Sequence, residues 1–406
     1  VANDQGTDSG RRGSSRRQFL LGGAVVGLGA AAAVGADYVI SQGSGDTIAA
    51  PLNGTETIPF HGAHQAGVDT PAQAHATFLA LDLHDDVDRD ALRRMMRILT
   101  EDAVRLTEGR AALADSEPEL AVIPARLTIT FAFGPGLVDR AGGARPEWLG
   151  PLPPFGVDRL EVAWSEGDLL IQIGADDPLT VAHATRMLVK DTRAFGTPRW
   201  SQTGFRRAYG SEAAGTTMRN LFGQVDGTAN VVPGTPEFDS TVWVRDGWLA
   251  GGTGVVVRRI HMDLDRWDKL DRSGREQSVG RSLSNGAPLT GVNERDEPDF
   301  EATTAIGFPV IPEFSHLRRA RSENPAERIL RRGYNYDDGP SATSVSDSGL
   351  IFVSYQADVT TQFVPIQRRL DELDLLNEWT TPIGSAVFAV PPGCAPGGYI
   401  GETLLG

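Results

Sequence analysis

Thr77-Phe78-Leu79-Ala80-Leu81-Asp82-Leu83, followed by the segment 88–108 with Leu92, Met95, Met96, Leu99, Ala103, Val104 and Leu106, gives the first strand and the first helix. The first stretch is short and apolar, as a buried strand requires. The second repeats its apolar residues every three or four positions, the spacing that lines one helix face. Leu127 to Phe133 and Asp168 to Ile173 then read as strands, the first of them rich in β-branched and aromatic residues. Helical spacing returns over 177–194 through Leu179, Val181, Ala184 and Leu188, and Arg199 to Tyr209 closes the set as a strand. The order βαββαβ is the split βαβ, or ferredoxin-like, arrangement.

The second half of the chain repeats that order. Gly254 to Met262 reads as a strand, 264–281 as mostly helical, and Ile329 to Tyr336 and Leu350 to Gln356 as strands. An amphipathic helix over 361–373 follows, and Ser385 to Val390 is the last strand, stopped by Pro391-Pro392-Gly393. The halves share element order and no obvious sequence identity. The expected fold class is therefore α+β, with two ferredoxin-like domains built on antiparallel sheets, an N-terminal one over 61–215 and a C-terminal one over 216–406.

The chain has 406 residues, enough for one large or two medium domains. Its formal charge of −15 argues against a nucleic-acid partner, which would need a concentrated Lys/Arg surface. Cys394 is the only cysteine, so an intramolecular disulfide and any Cys-based metal cluster are excluded. Residues 11–36 run from basic to apolar to small. Ser15-Arg16-Arg17-Gln18-Phe19-Leu20 matches a twin-arginine export signal, and Val34-Gly35-Ala36 suits cleavage after Ala36. The expected organisation is thus a signal peptide at 1–36, delivered to the twin-arginine translocase, and a flexible linker at 37–60. The protein would work outside the cytoplasm, in the periplasm, at the cell surface or extracellularly. A membrane anchor is the competing reading, weakened by the Gly and Ala content of the span. Twin-arginine cargo crosses the membrane folded, often with a cofactor already bound.

Three local features carry chemistry. In Gly223-Gln224-Val225-Asp226-Gly227-Thr228 the Asp-Gly pair reads either as a plain turn or as a backbone that approaches a flat ligand and aims a carboxylate over it. Phe314-Ser315-His316-Leu317-Arg318-Arg319-Ala320-Arg321 sets one histidine among arginines. That is a surface or capping group, or the single proximal ligand of a haem with cations for its propionates. Leu330-Arg331-Arg332-Gly333-Tyr334 offers a permanent cation at the start of a strand. It serves a surface ion pair, or stabilises the negative charge that develops as a peroxide O–O bond splits.

With His64-Gln65-Ala66-Gly67, Val257-Arg258-Arg259-Ile260, Phe363-Val364-Pro365-Ile366-Gln367 and Gly384-Ser385-Ala386-Val387-Phe388-Ala389-Val390-Pro391-Pro392-Gly393, these segments stand in the order seen in one family. The chain resembles the dye-decolourising peroxidases, especially their exported bacterial subgroup, over nearly everything after residue 60. The resemblance implies one haem b per chain in the C-terminal domain, with His316 as axial ligand of the iron. Asp226 and Arg331 would be the distal catalytic residues, and Gly223, Gly227, Thr228, Arg259 and Phe363 would lie against the cofactor. It implies that hydrogen peroxide drives oxidation of dyes, phenols or other small organic electron donors through a ferryl haem, and it leaves a homo-oligomer open. The alternative is a haem-handling protein that releases iron from haem, deferrochelatase-like. Trp243, Trp248, Tyr334 and Tyr355 are candidates for carrying electrons from the surface. Asp371, Glu372 and Asp374 are candidates for the carboxylate behind the axial histidine. One departure from the family pattern is that Gln224 and Val225 replace the usual basic or aromatic residues between Gly and Asp.

Overall fold

Strand β1 (His75–Leu83) is buried along nearly its whole length because it runs in the middle of a sheet with both faces covered. Helix α1 (Arg89–Thr107) starts where the Asp88 carboxylate accepts the Ala91 N–H at 2.8 Å, and it buries the Leu92–Met95–Met96–Leu99–Ala103–Leu106 stripe. Strands β2 (Thr128–Phe133) and β3 (Leu169–Ala175) are buried at every position. Helix α2 (Pro178–Thr192) has Asp177 as its cap and Pro178 in its first turn, and β4 (Gly196–Phe205) completes the unit. The spatial order β2-β3-β1-β4, antiparallel throughout, is that of a ferredoxin-like sheet. These elements belong to the computed structural model of the chain, which describes residues 53–340 and 346–406. The export signal and most of the linker expected at 37–60 lie outside the described residues.

The second half builds the same sheet from β5 (Thr253–Met262), β6 (Leu330–Arg331), β7 (Tyr334–Asp337), β8 (Ser348–Gln356) and β9 (Thr380–Val390). Its helices include α3 (Arg272–Val279), α4 (His316–Ala320) and α5 (Val364–Leu373). The order β9-β5-β8-β7 mirrors the first sheet, and each half is ferredoxin-like. The halves also share one hydrogen-bonded circuit. Phe133 pairs with Ala389 at one seam and Phe205 with Asn335 at the other, which leaves neither of these edges open. Between the two sheets lies a common core that includes Phe78, Tyr334, Tyr336, Val353, Tyr355 and Phe388. Gly204 allows the second seam, since a methyl group there would sit 2.6 Å from Tyr334 Cβ.

Where elements differ from the sequence expectation, a local cause is visible. The strand expected at Arg199 to Tyr209 ends at Phe205, which pairs with His75, the first residue of β1. The helix expected over 264–281 is two short helices, because the carboxylates of Asp263 and Asp271 each take the N–H three residues on and restart the turn. The last strand begins at Thr380 rather than Ser385, and a register shift beside Pro382 accommodates a residue that has no N–H to give. The strand expected at Ile329 to Tyr336 is divided at Arg332-Gly333, yet both pieces keep one register against β8.

In the N-terminal half, burial pushes the Asp191 carboxyl up to about 7, and the neighbouring Asp102 charge adds to the rise. Unfolded, the group loses its proton near 3.8; folded, it keeps the proton to about 7. Stability therefore falls as pH rises between those values and levels off above, because the unfolded chain binds fewer protons across that window. Asp191→Asn is expected to raise the melting temperature at pH 8, by on the order of 1 kcal/mol or more of added stability, and to change little at pH 4. Equal shifts at both pH values would contradict the assignment.

Candidate active site

The pleat of the second sheet decides which side chains reach the site. Along β5, Val255, Val257 and Arg259 point into the core between the sheets, and Arg258, Ile260 and Met262 point outward. Along β6 and the residues after it, Arg332 turns inward, where it donates to the carbonyls of Thr70 and Pro71 and to Gln73 Oε1. Arg331 turns outward. The outward face, together with α4, α5 and the loop around Asp226, encloses a cavity of about 980 Å³. That is at the upper end of small-molecule sites, about 300–1,000 Å³.

His316 opens α4 and lines this cavity. Its Nδ1 meets Asp374 Oδ2 at 2.6 Å, and Asp374 Oδ1 accepts the Leu376 N–H at 3.0 Å. Asp374 is therefore the carboxylate behind the histidine. Asp371 instead accepts the backbone N–H groups of Gly156 and Val157, and Glu372 pairs with Arg319. Burial pulls the imidazole pKa down, but the charge and hydrogen bond of Asp374 outweigh it and hold His316 above its usual value. With Nδ1 engaged, Nε2 is the nitrogen left for a ligand in the cavity.

Asp226 lies in a tight turn between Gly223, at φ +79°, and Gly227, at φ +126°. No atom lies within 4 Å of a Cβ placed on Gly223, so the dihedral rather than space demands glycine. Asp226 Oδ1 receives Arg331 Nη1 at 2.9 Å, a pair only partly exposed at 20 % and 27 %. Asn230 fixes the backbone of Arg331 from both sides, donating to its carbonyl at 2.7 Å and accepting its N–H at 2.9 Å. A second cavity of about 400 Å³ reaches the same Asp226–Arg331 pair from the Val68–Ala72 segment of the N-terminal half.

His316, Asp226, Arg331, Thr228 and Phe363 thus meet at one cavity, as the sequence segments suggest. Other expected residues do not. Arg259 is a correction: the pleat turns it away, and it lies between the Trp164 and Tyr336 rings while bonding Gln202 and Asp338. Its neighbour Arg258 is the one that reaches the cavity wall, paired with Asp158. Gly227 borders only the smaller cavity and Gly223 borders neither, so both shape the turn without touching the ligand space. Thr228 gives its hydroxyl to Glu294. Among the arginines beside the histidine, Arg318 and Arg319 turn to backbone carbonyls, and the cations lining the cavity are Arg258, Arg281, Arg295, Arg321, Arg328 and Arg331.

Of the aromatic candidates, Tyr334, Tyr355 and Trp243 are buried in the core between the sheets, and Trp248 packs against the other core. None of the four lines the cavity. One aromatic run that reaches its wall is Phe222, stacked on Trp267 at 4.3 Å, with Trp379 edge-on to Trp267 at 5.3 Å. Residues 267 and 379 lie far apart in the chain, so spacing carried no sign of this run.

A flat, metal-bearing cofactor that takes one protein ligand fits these residues. The cavity offers one imidazole nitrogen, apolar walls from Ile260, Met262, Leu350, Phe352 and Phe363, and arginines for acidic substituents. The buried Gln224 Nε2 on the cavity wall has no partner among the described residues.

Sequence models of the Dyp-type peroxidase N-terminal and C-terminal domains match residues 65–206 and 217–395. The dye-decolorizing peroxidase of Thermobifida fusca is 38 % identical over 98 % of this chain and 99 % of its own. The deferrochelatase of Yersinia pestis is 35 % identical over 96 % of this chain and 95 % of its own. Among solved structures, the DyP-type peroxidase of Cellulomonas bogoriensis is 54 % identical, covering 87 % of this chain and 99 % of its own with a TM-score of 0.85. DtpA from Streptomyces lividans, solved as an oxyferrous complex, is 42 % identical over 88 % of this chain and 100 % of its own, with a TM-score of 0.84. Matched domain by domain and sharing its full architecture, the chain belongs to the Dyp-type peroxidase family.

Proposed function

We propose that the protein is a haem-dependent peroxidase that uses hydrogen peroxide to oxidise dyes, phenols or other one-electron donors. The observation that carries this reading is the placement, around one cavity, of the His316–Asp374 pair and the Asp226–Arg331 pair. His316 Nε2 would ligate the iron, with Asp374 holding the Nδ1 proton so that the lone pair stays on Nε2. Arg281, Arg295, Arg321 and Arg328 line the same cavity and suit the propionates. Haem, when bound, supplies the iron centre that binds peroxide and takes up its oxidising equivalents.

The remaining chemistry belongs to the chain. Asp226, at the cavity wall, would accept a proton from one peroxide oxygen and return it to the other, general base and then general acid. Arg331, beside it at 2.9 Å, is a permanent cation that holds the carboxylate by a charge-assisted hydrogen bond. The same guanidinium stabilises the charge that gathers on the departing oxygen. Asn230 clamps the Arg331 backbone, so this cation needs little reorganisation at the moment of reaction.

We also propose export through the twin-arginine pathway, supported by Ser15-Arg16-Arg17-Gln18-Phe19-Leu20 and the uncharged run after it. Folding around a cofactor before export is consistent with that route.

Four experiments test these readings. Asp226→Asn and Arg331→Leu should each slow the reaction with peroxide in stopped-flow absorbance by about 10²-fold or more, with the haem still bound. A wild-type protein that leaves a dye unoxidised and instead yields iron-free porphyrin would favour the iron-releasing role named in the Yersinia relative. Asp374→Asn should keep the haem and lower its affinity or turnover about 10–100-fold, whereas His316→Ala should lose the axial ligand and its absorbance signature. Replacing Arg16 and Arg17 together by Lys should leave the precursor in the cytoplasm, seen by fractionation, with a normal haem spectrum.

A further inference from the structure

The turn that presents Asp226 contains a polar chain that the peroxidase reading does not use. Asn220 Oδ1 accepts the backbone N–H of Phe222 at 3.1 Å and of Gln224 at 3.2 Å. Two donors on one oxygen settle which end of the amide is which. Nδ2 is therefore the donor end, and it meets Gln224 Oε1 at 3.1 Å and Asp226 Oδ2 at 3.4 Å. The backbone repeats the arrangement: Asn220 N–H donates to the Gln224 carbonyl at 3.0 Å, and Gly223 N–H to the Asn220 carbonyl at 2.9 Å. Asn220, Gln224 and Asp226 all line the main cavity.

We propose that Asn220 is a positioning residue for Asp226: its amide, oriented by its own turn and braced by Gln224, holds Oδ2 while Arg331 holds Oδ1. Each carboxylate oxygen has two lone pairs, so one hydrogen bond apiece fixes the plane of the group and leaves sites free to take a proton. Without the Asn220 contact the carboxylate turns about its last bond on a single anchor, Arg331. A displacement of about 1 Å in a proton acceptor is enough to cost on the order of 10²-fold in rate. The 3.4 Å contact is long, and such bonds tighten when the reacting molecule is in place. Because Gln224 Oε1 is taken by Asn220, its Nε2 is the end left buried without a partner. Nε2 is thus a donor for an acceptor inside the cavity.

The proposal rests on the peroxidase reading, and Asn220→Asp separates the two. Aspartate keeps an oxygen for the Phe222 and Gln224 N–H groups, so the turn survives. It replaces the donor facing Asp226 with a second acceptor. The charged groups facing Asp226 are Arg331 on β6, Arg206 beyond β4 and His316 on α4, and the substitution touches none of them. In the haem-loaded full chain, Asn220→Asp should lower the second-order rate constant with peroxide by about tenfold or more. It should also raise the cyanide dissociation constant, since bound cyanide leaves its proton on the distal base, and move the acidic limb of both pH profiles upward. The KM for the electron donor and the melting temperature should not change. Gln224→Leu should act in the same direction with a smaller effect. Wild-type peroxide rates, cyanide affinity and pH profile in Asn220→Asp would overturn the proposal. If wild type itself does not react with peroxide, the peroxidase reading fails instead.

Discussion

The antiparallel pairing of β5 with β8 and β9 governs the site, because the pleat of those strands sorts side chains between two destinations. A residue pointing one way joins the core shared by both sheets. Its neighbour points the other way, toward the cavity. Two Arg-Arg pairs are each divided by this rule: Arg258 from Arg259, and Arg331 from Arg332. In each pair one guanidinium ties the two halves together or packs within them, and the other faces the ligand space. A slip of one residue in either register would exchange those roles and leave the wrong charge in the core.

Closure of the two sheets gives that sorting its rigidity. Single-residue seams at Phe133–Ala389 and Phe205–Asn335 join the halves into one circuit, and Arg332 reaches from the site strand to the N-terminal backbone. The polar side chains at the cavity are each held by a neighbour, two of them from another segment of the chain. Asp374 meets His316 and Asn230 clamps the Arg331 backbone from distant segments, while Asn220 reaches Asp226 within its own turn. Side chains locked by hydrogen bonds to neighbouring elements need little reorganisation when charge develops, which is the property a peroxide-splitting site requires.

Much was legible in the chain itself. Apolar periodicity marked the elements of both halves, and the repeated order marked the architecture, since period 2 and period 3.6 are written in sequence. The Asp-Gly turn, the lone histidine among arginines and the Arg331 strand were visible as chemistry, with family order deciding between their bland and functional readings. The misplacement of Arg259 has a simple cause: two adjacent arginines look alike until the strand's phase is known. The carboxylate behind His316 stayed one of three for a similar reason, because Asp371, Glu372 and Asp374 sit at the end of one helix and differ only in which way they face.

The sequence by itself thus determined the kinds of elements, their order and the residue types available for catalysis, because these follow from local periodicity and turn chemistry. Tertiary structure alone decided which member of each arginine pair faces the cavity and which carboxylate orients His316. It also decided that Phe222, Trp267 and Trp379 form one aromatic run. Those outcomes depend on strand phase and on contacts between segments many residues apart, for which no spacing in the chain provides a signal.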